Sequence, residues 1–186
     1  ALVLILFVPI AVSLFRRYSA ATATAIVVVA GSLFLPEMSL IEIQGVPRID
    51  KDRIVYISAL LGLFLHYRGS LISSRPGFGP ESLLIAMFFM NLVTWQANLY
   101  PLANEGALQP GLSFAWVLGQ TLDDLFTYFL PFIVGKAAIR SAADVQPLLK
   151  VITGFGLLYT VLIAVEVLMG IPFRVFQFSH YLYDIS

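Results

Sequence analysis

The sequence predicts an all-α fold, a polytopic transmembrane helical bundle with about six membrane-spanning helices. Hydrophobic residues make up 59% of the 186 residues and charged residues 12%, with a mean hydropathy of +0.90. Soluble domains carry roughly 25% charged residues, so this chain is too poor in charge for that class. The apolar residues also lie in long continuous runs, without the alternation of a barrel strand. The predicted helices of this single domain cover residues 1–15, 19–35, 54–67, 82–100, 121–139 and 148–170.

The first two predicted helices are separated by a basic turn. The apolar run 1–15 stops at Arg16 and Arg17. Its rise is only about 22 Å, short of the ~30 Å hydrocarbon core. We therefore expect part of this helix to precede the first residue, and the chain to be the N-terminal part of a longer protein. The second helix, 19–35, ends at Pro36.

A charged stretch precedes the third predicted helix. Six consecutive residues, Arg48 to Arg53, hold five charges in an otherwise apolar setting. The third helix covers 54–67, and a connector rich in Gly, Pro and Ser follows at 73–82. The fourth helix is predicted at 82–100, and Pro80 just before it fits a helix start, because a proline costs nothing at the first helical position.

The fifth predicted helix starts at Thr121. Thr121 can cap the helix, and Asp124, three residues on, completes a pattern close to a capping box. This start places Asp123 and Asp124 in the first turn, at the positive end of the helix dipole. At the bilayer centre each carboxylate would cost ~3 kcal/mol. The preceding apolar segment 111–119 is too short to cross and is predicted to lie at the interface or to dip in partway.

Lysine and arginine predict the orientation of the helices. Seven cations follow the first, third and fifth helices: Arg16, Arg17, Arg68, Arg75, Lys136, Arg140 and Lys150. Four lie on the other side: Arg48, Lys51, Arg53 and Arg174. Because cytoplasmic loops carry an excess of Lys and Arg, the larger group is predicted to be cytoplasmic. The loop 36–53 and the C-terminal end then lie on the outer side.

The composition excludes several functions. A net charge of zero gives no electrostatic case for nucleic acid. The chain has no Cys, which excludes thiolate catalysis, and its two histidines, His66 and His180, are too far apart in sequence for a histidine-rich metal cluster. No phosphate-binding glycine loop, nucleophile elbow or HExxH motif is present. We expect no metal and no cofactor.

The candidate site residues are charged groups on the predicted outer side. Arg48, Lys51 and Arg53 form a cation cluster of the kind that binds a diphosphate or an anionic lipid head. The alternative is a helix rim with internal ion pairs, worth ~0–1 kcal/mol each. Glu166 lies one turn inside the outer end of the sixth helix, and an ionisable residue within a span is a functional candidate. Its alternative is a carboxylate at the interface or paired with Arg174.

Two other polar features favour a structural interpretation. Asn91, Thr94, Trp95 and Asn98 share one face of the fourth helix. Such stripes line a pathway less often than they form interhelical hydrogen bonds, worth ~0.6 kcal/mol on average. His180, among aromatic residues of the tail, is more typical of an interfacial side chain than of a general base.

Four stretches of the sequence together carry a resemblance to a known family. They are LFLP (33–36) with GVPRIDKDR (45–53), TWQANLYPL (94–102), DDLFTYFLPFIVGKAAI (123–139), and AVEVLMGIP (164–172), which contains Glu166. They resemble the bacterial O-antigen ligase and O-antigen polymerase-like membrane proteins, in their N-terminal half. Lys136 stands where the family pattern has Arg.

The resemblance implies polysaccharide biosynthesis at the bacterial inner membrane. It implies glycosyl transfer from an undecaprenyl-diphosphate-linked saccharide at the periplasmic face. Arg48, Lys51, Arg53 and Glu166 would contribute to the diphosphate environment, where cations stabilise the charge of the leaving group. The family's other basic residues and its His lie in a later outer loop, so this segment alone is not expected to be catalytic.

A second hypothesis comes from a different class of protein. The chain would be a non-catalytic structural subunit of a large membrane complex, such as a photosynthetic or respiratory one, derived from that family. The expected partners are membrane lipids with either an undecaprenyl-diphosphate glycan or other membrane subunits, and no nucleic acid.

Overall fold

A computed structural model describes residues 2–36, 50–73, 79–104 and 107–169. Its helices are α1 (Leu2–Leu14), α2 (Ala20–Phe34), α3 (Lys51–His66), α4 (Arg68–Ser73), α5 (Glu81–Ala97), α6 (Phe114–Asp124), α7 (Leu130–Ala138) and α8 (Ala142–Met169). A π-helical segment, Leu125–Phe129, joins α6 to α7. Strands β1 (Leu102–Asn104) and β2 (Ala107–Gln109) pair antiparallel, with Leu102 opposite Gln109. Apart from this short hairpin, the described fold is all-helical, which confirms the predicted all-α class.

Length and composition identify one membrane-spanning candidate in the described residues. The stretch Ala142–Val165 of α8 is long and apolar enough to cross a bilayer. Helices α1 and α2 are apolar but shorter. These criteria alone therefore identify one spanning helix rather than the six that the sequence predicted.

The largest departure from the sequence prediction is the start of the fifth helix. The Ser113 hydroxyl accepts a hydrogen bond from Trp116 N at 3.2 Å and caps α6, which begins at Phe114. The helix then continues through the π segment and α7 to Ala138. The predicted start at Thr121 is therefore wrong, because Ser113 supplies the cap two turns earlier. The apolar segment 111–119 contributes to this helix and is not a separate interfacial element.

A proline explains the π segment in the middle of that helix. Pro131 lies in the first turn of α7 and has no N–H to donate. The preceding residue, Leu130, donates its N–H to Leu125 O, five residues back. The wider turn takes up one extra residue, as π-bulges do.

Two other helices also begin earlier than predicted, each because of a capping aspartate. Helix α3 begins at Lys51, and the Asp50 carboxylate accepts from Arg53 N at 2.9 Å. Helix α8 begins at Ala142, where Asp144 accepts from Arg140 N at 3.0 Å and from Ser141 N at 2.9 Å. An aspartate oxygen satisfies N–H groups that have no partner inside the helix.

The core surrounds α3, which packs against α1, α2 and α7. Its buried side chains come from these four helices and include Leu4, Val27, Leu63 and Val134. Helix α8 packs on α2, and α5 packs on α6. Trp95 and Phe114 form an edge-to-face pair at 5.5 Å between ring centroids in the α5–α6 contact. The charged residues therefore lie around a core that four helices share.

Contacts between helix termini define one end of the bundle, here called the Tyr67 end. Tyr67, which caps the C-terminus of α3, donates its hydroxyl to Tyr18 O at 2.8 Å, just before α2. The buried Ser70 of α4 donates to Ala137 O in the last turn of α7. These bonds gather the end of α3, the α1–α2 turn and the end of α7.

The opposite end, here called the Arg53 end, is also defined by side-chain contacts. Lys51 Nζ, at the start of α3, donates to Ser32 O near the end of α2 at 3.3 Å. Arg53 forms an ion pair with Asp123 near the end of α6. Consecutive helices α2 and α3 thus run in opposite directions between the two ends.

Candidate functional site

Arg53 is the best-defined of the predicted site residues. Its guanidinium pairs with Asp123, and its Cζ lies 5.9 Å from the centroid of the Phe126 ring. Only 12% of the Arg53 side chain is exposed. A guanidinium held by a carboxylate and an aromatic face is fixed in orientation, and its planar fork suits phosphate oxygens.

The position of Arg53 follows from local capping. Asp50 begins α3, which places Arg53 in the first helical turn at the Arg53 end of the bundle. From this turn the side chain reaches the junction of α6 with the π segment, where Asp123 and Phe126 lie three residues apart. The sequence identified Arg53 but assigned Asp123 to capping, so the pair was not predicted.

Asp124, the next residue, has a different environment. It is 6% exposed, and its carboxylate accepts from Asn91 Nδ2 at 2.7 Å and from Gln120 Nε2 at 3.1 Å. Both donors are neutral amides. Burying a carboxylate is costly unless hydrogen bonds compensate, and these two bonds supply part of that compensation.

A cleft of about 360 Å³ lies beside Arg53. Its lining residues are Asp50, Asp52, Arg53, Tyr56, Phe126, Thr127 and Pro131. The lining combines a guanidinium, two carboxylates, a phenol and a hydroxyl with an aromatic ring. Such a surface suits a ligand with both polar and apolar parts, and two carboxylates against one guanidinium make the charge of the lining net negative.

The other predicted site residues are placed unequally. Lys51 lies at the same end as Arg53 and donates to a main-chain oxygen of α2. Glu166 lies on α8, and its side chain is outside the described part of the structure. Arg48 and His180 also lie outside the described residues. The structure therefore brings together Lys51 and Arg53 of the predicted set.

The polar stripe of α5 mainly stabilises the helix and its neighbours. Asn91 makes the interhelical hydrogen bond to Asp124, and Asn98 Nδ2 donates to Thr94 O at 2.8 Å. The main chain of Asn98 accepts from Leu112 N at 2.8 Å, which closes the loop that contains the hairpin. The stripe thus joins α5 to α6.

No family model matches the chain, and neither a curated protein nor a solved structure is significantly similar to it. The fold and the site therefore define a class only. Over the residues that the structure describes, the fold is helical apart from a short hairpin, one helix is long and apolar enough to cross a membrane, and a charged cluster lies at one end of the bundle. The resemblance to O-antigen ligase-like proteins stays a prediction.

Proposed function

We propose that the chain is the membrane-embedded part of a bacterial glycan ligase or polymerase that acts on undecaprenyl-diphosphate-linked saccharide. In this proposal α1, α2, α3, α5, the continuous helix from α6 to α7, and α8 are six membrane-spanning helices. The Arg53 end faces the periplasm, and the Tyr67 end faces the cytoplasm.

Exposed apolar side chains support the membrane part of the proposal. Apolar residues that are more than half exposed occur on several helices, among them Leu83, Phe89 and Val93 on α5, and Leu149, Leu157 and Val161 on α8. Leaving apolar surface in water costs roughly 25 cal/mol per Å². Lipid removes this cost.

The single observation that carries the carrier-lipid part is the position of Arg53. A fixed guanidinium at one end of an apolar bundle lines a cleft with both polar and apolar walls. Arg–phosphate pairs are charge-assisted and often bidentate. A diphosphate carries more charge than the Asp123 carboxylate, so it can compete for the guanidinium, against the repulsion of Asp50 and Asp52 in the same lining. Cations at this position stabilise the diphosphate as it leaves the saccharide.

A second candidate function is favoured by another observation. Lys51 and Arg53 both make contacts between helices, with Ser32 and Asp123 respectively. Cations used in this way stabilise packing without any ligand. The chain is then a non-catalytic subunit of a membrane complex, whose neighbouring subunits cover the apolar faces of α5 and α8.

Substitution in the complete protein tests the first candidate against the second. We expect Lys51→Gln with Arg53→Gln to reduce surface polysaccharide at least about tenfold, because a charge-assisted contact is worth ~1.5–3 kcal/mol. Arg68→Gln, an exposed arginine at the Tyr67 end, is the matched control and should leave the polymer unchanged.

The amount of folded protein must be measured for each variant. Unchanged polymer at normal protein levels would reject the diphosphate role of Lys51 and Arg53. Loss of a co-purifying subunit, with polymer unchanged, would favour the second candidate.

A further inference from the structure

A second, largely apolar groove lies between α2, α7 and α8. Its volume is about 240 Å³, and small residues line much of it, including Ala21, Ala25, Gly135 and Ala138. This is less than the ~300–1,000 Å³ of a typical pocket for a whole ligand. The groove is therefore suited to a length of flexible chain rather than to a compact molecule.

One polar group in this groove has no partner. Thr24 lines the groove and is 8% exposed, and its hydroxyl oxygen makes no hydrogen bond within the described structure. Two other helical hydroxyls bond to the carbonyl four residues back: Thr160 to Gly156 O at 2.8 Å and Ser58 to Ile54 O at 2.6 Å. Since a buried hydroxyl without a partner is destabilising, an acceptor in the groove would remove a penalty.

The groove extends to the Tyr67 end of the bundle, which is the more basic end. Thr24 lies about one turn inside the start of α2, and Ile139 lines the groove next to Arg140. Arg17, in the turn before α2, and Arg140 are both exposed. The nearby Asp144 already accepts from the backbone of Arg140 and Ser141. Two exposed arginines thus adjoin, in the chain, the elements that line this end of the groove.

We propose that this groove binds one acyl chain of an anionic glycerophospholipid. The acyl chain lies along the small residues of α2 and α7. An ester oxygen, on the apolar side of the phosphate, accepts from the Thr24 hydroxyl, and the phosphate lies against Arg17 and Arg140. Basic residues at a membrane surface favour the binding of anionic lipid. The proposal needs the chain to lie in lipid but does not depend on glycan transfer.

Lipid binding to the delipidated full-length protein in detergent tests this inference. The probes are labelled phosphatidylglycerol and phosphatidylcholine with identical acyl chains. We expect tighter binding of phosphatidylglycerol. Thr24→Val keeps the shape and removes the hydroxyl, so it should weaken binding of both lipids about threefold to tenfold, the range of one hydrogen bond. Thr160→Val is the matched control and should change nothing.

Two further variants locate the two parts of the lipid. Ala138→Leu fills the groove and should abolish binding, whereas Ala164→Leu, on the exposed part of α8, should not. Arg17→Gln with Arg140→Gln should remove the preference for phosphatidylglycerol, with Arg68→Gln as control.

Several results would overturn the inference. Equal affinity of the wild-type protein for the two lipids would contradict recognition of an anionic headgroup. Wild-type affinity in the Thr24→Val variant would contradict the hydrogen bond from Thr24 to the ester oxygen. If undecaprenyl phosphate displaces phosphatidylglycerol and Thr24→Val is without effect, the groove holds an isoprenoid chain instead. If no lipid binds and a second copy of the chain covers the groove, it is a protein interface.

Discussion

Asp123 and Asp124 are adjacent in the chain but connect α6 to two different helices. Asp123 pairs with Arg53 of α3, and Asp124 accepts from Asn91 of α5. Successive residues of a helix point about 100° apart, so neighbouring carboxylates reach partners on different sides. The junction of α6 with the π segment is therefore the place where the α5–α6 pair is attached to the α3 core.

The hydrogen bond from Asn91 to Asp124 should contribute measurably to stability. Asn91→Ala removes one of two described donors to a buried carboxylate, and we expect a loss of about 1–3 kcal/mol in the free energy of unfolding. Gln96→Ala, on an exposed position of the same helix, is the control. The measurement is thermal or denaturant unfolding in detergent. Equal stability of the two variants would show that Asp124 is satisfied without Asn91.

The ion pair of Arg53 with Asp123 should show pairwise coupling. Asp123 is 46% exposed, so we expect a coupling energy of only about 1 kcal/mol. A double-mutant cycle with Arg53→Gln and Asp123→Asn measures it by unfolding in detergent. Additive effects of the two substitutions would indicate that the pair contributes nothing to stability.

Exchanging the two charges separates packing from ligand binding. Arg53→Asp with Asp123→Arg restores the ion pair and should recover most of the stability that either single change loses. If the guanidinium of Arg53 serves a diphosphate, surface polysaccharide should stay low, because the cation has left its place in the cleft. Full recovery of both stability and polymer would favour a purely structural pair.

The sequence predicted the all-α class and the presence of most helices, because long apolar runs are a strong local signal. Helix starts were less accurate: α3 and α6 begin after the caps Asp50 and Ser113, and α8 begins beside Asp144, none of which the prediction used. Thr121 also fits a capping pattern, yet it lies inside α6, which begins seven residues earlier at Phe114. A local pattern shows that a residue can cap a helix but not which of two caps is used.

The candidate site was predictable only in part, because its geometry depends on distant residues. Arg53 and Lys51 were recognised as clustered cations. Their partners, Asp123 and the Ser32 carbonyl, come from other helices, and no spacing in the sequence relates them. Two carboxylates in an apolar segment, Asp123 and Asp124, indicated that a cation from another helix could pair with them. The sequence prediction assigned both to helix capping and therefore did not look for such a partner.

Two glycines should respond in opposite ways to the same substitution. A Cβ at Gly62 would overlap the Phe15 ring, so Gly62→Ala should destabilise the core by about 1–3 kcal/mol through overpacking. Gly119 lies in α6 with open space around the position of a Cβ, so Gly119→Ala should stabilise by about 0.5–1 kcal/mol. Unfolding in detergent measures both. Equal signs for the two changes would contradict the close approach of α1 to α3.

The orientation of the bundle can be tested on a clean background, because the chain has no Cys. We expect Asp52→Cys, exposed at the Arg53 end, to react with a membrane-impermeant maleimide added to whole cells whose outer membrane is permeabilised. Arg17→Cys, at the Tyr67 end, should react only after the inner membrane is opened. The predicted excess of cations on the cytoplasmic side is the reason for this difference. The reverse labelling pattern would place Arg53 in the cytoplasm and remove the proposed encounter with a periplasmic lipid-linked saccharide.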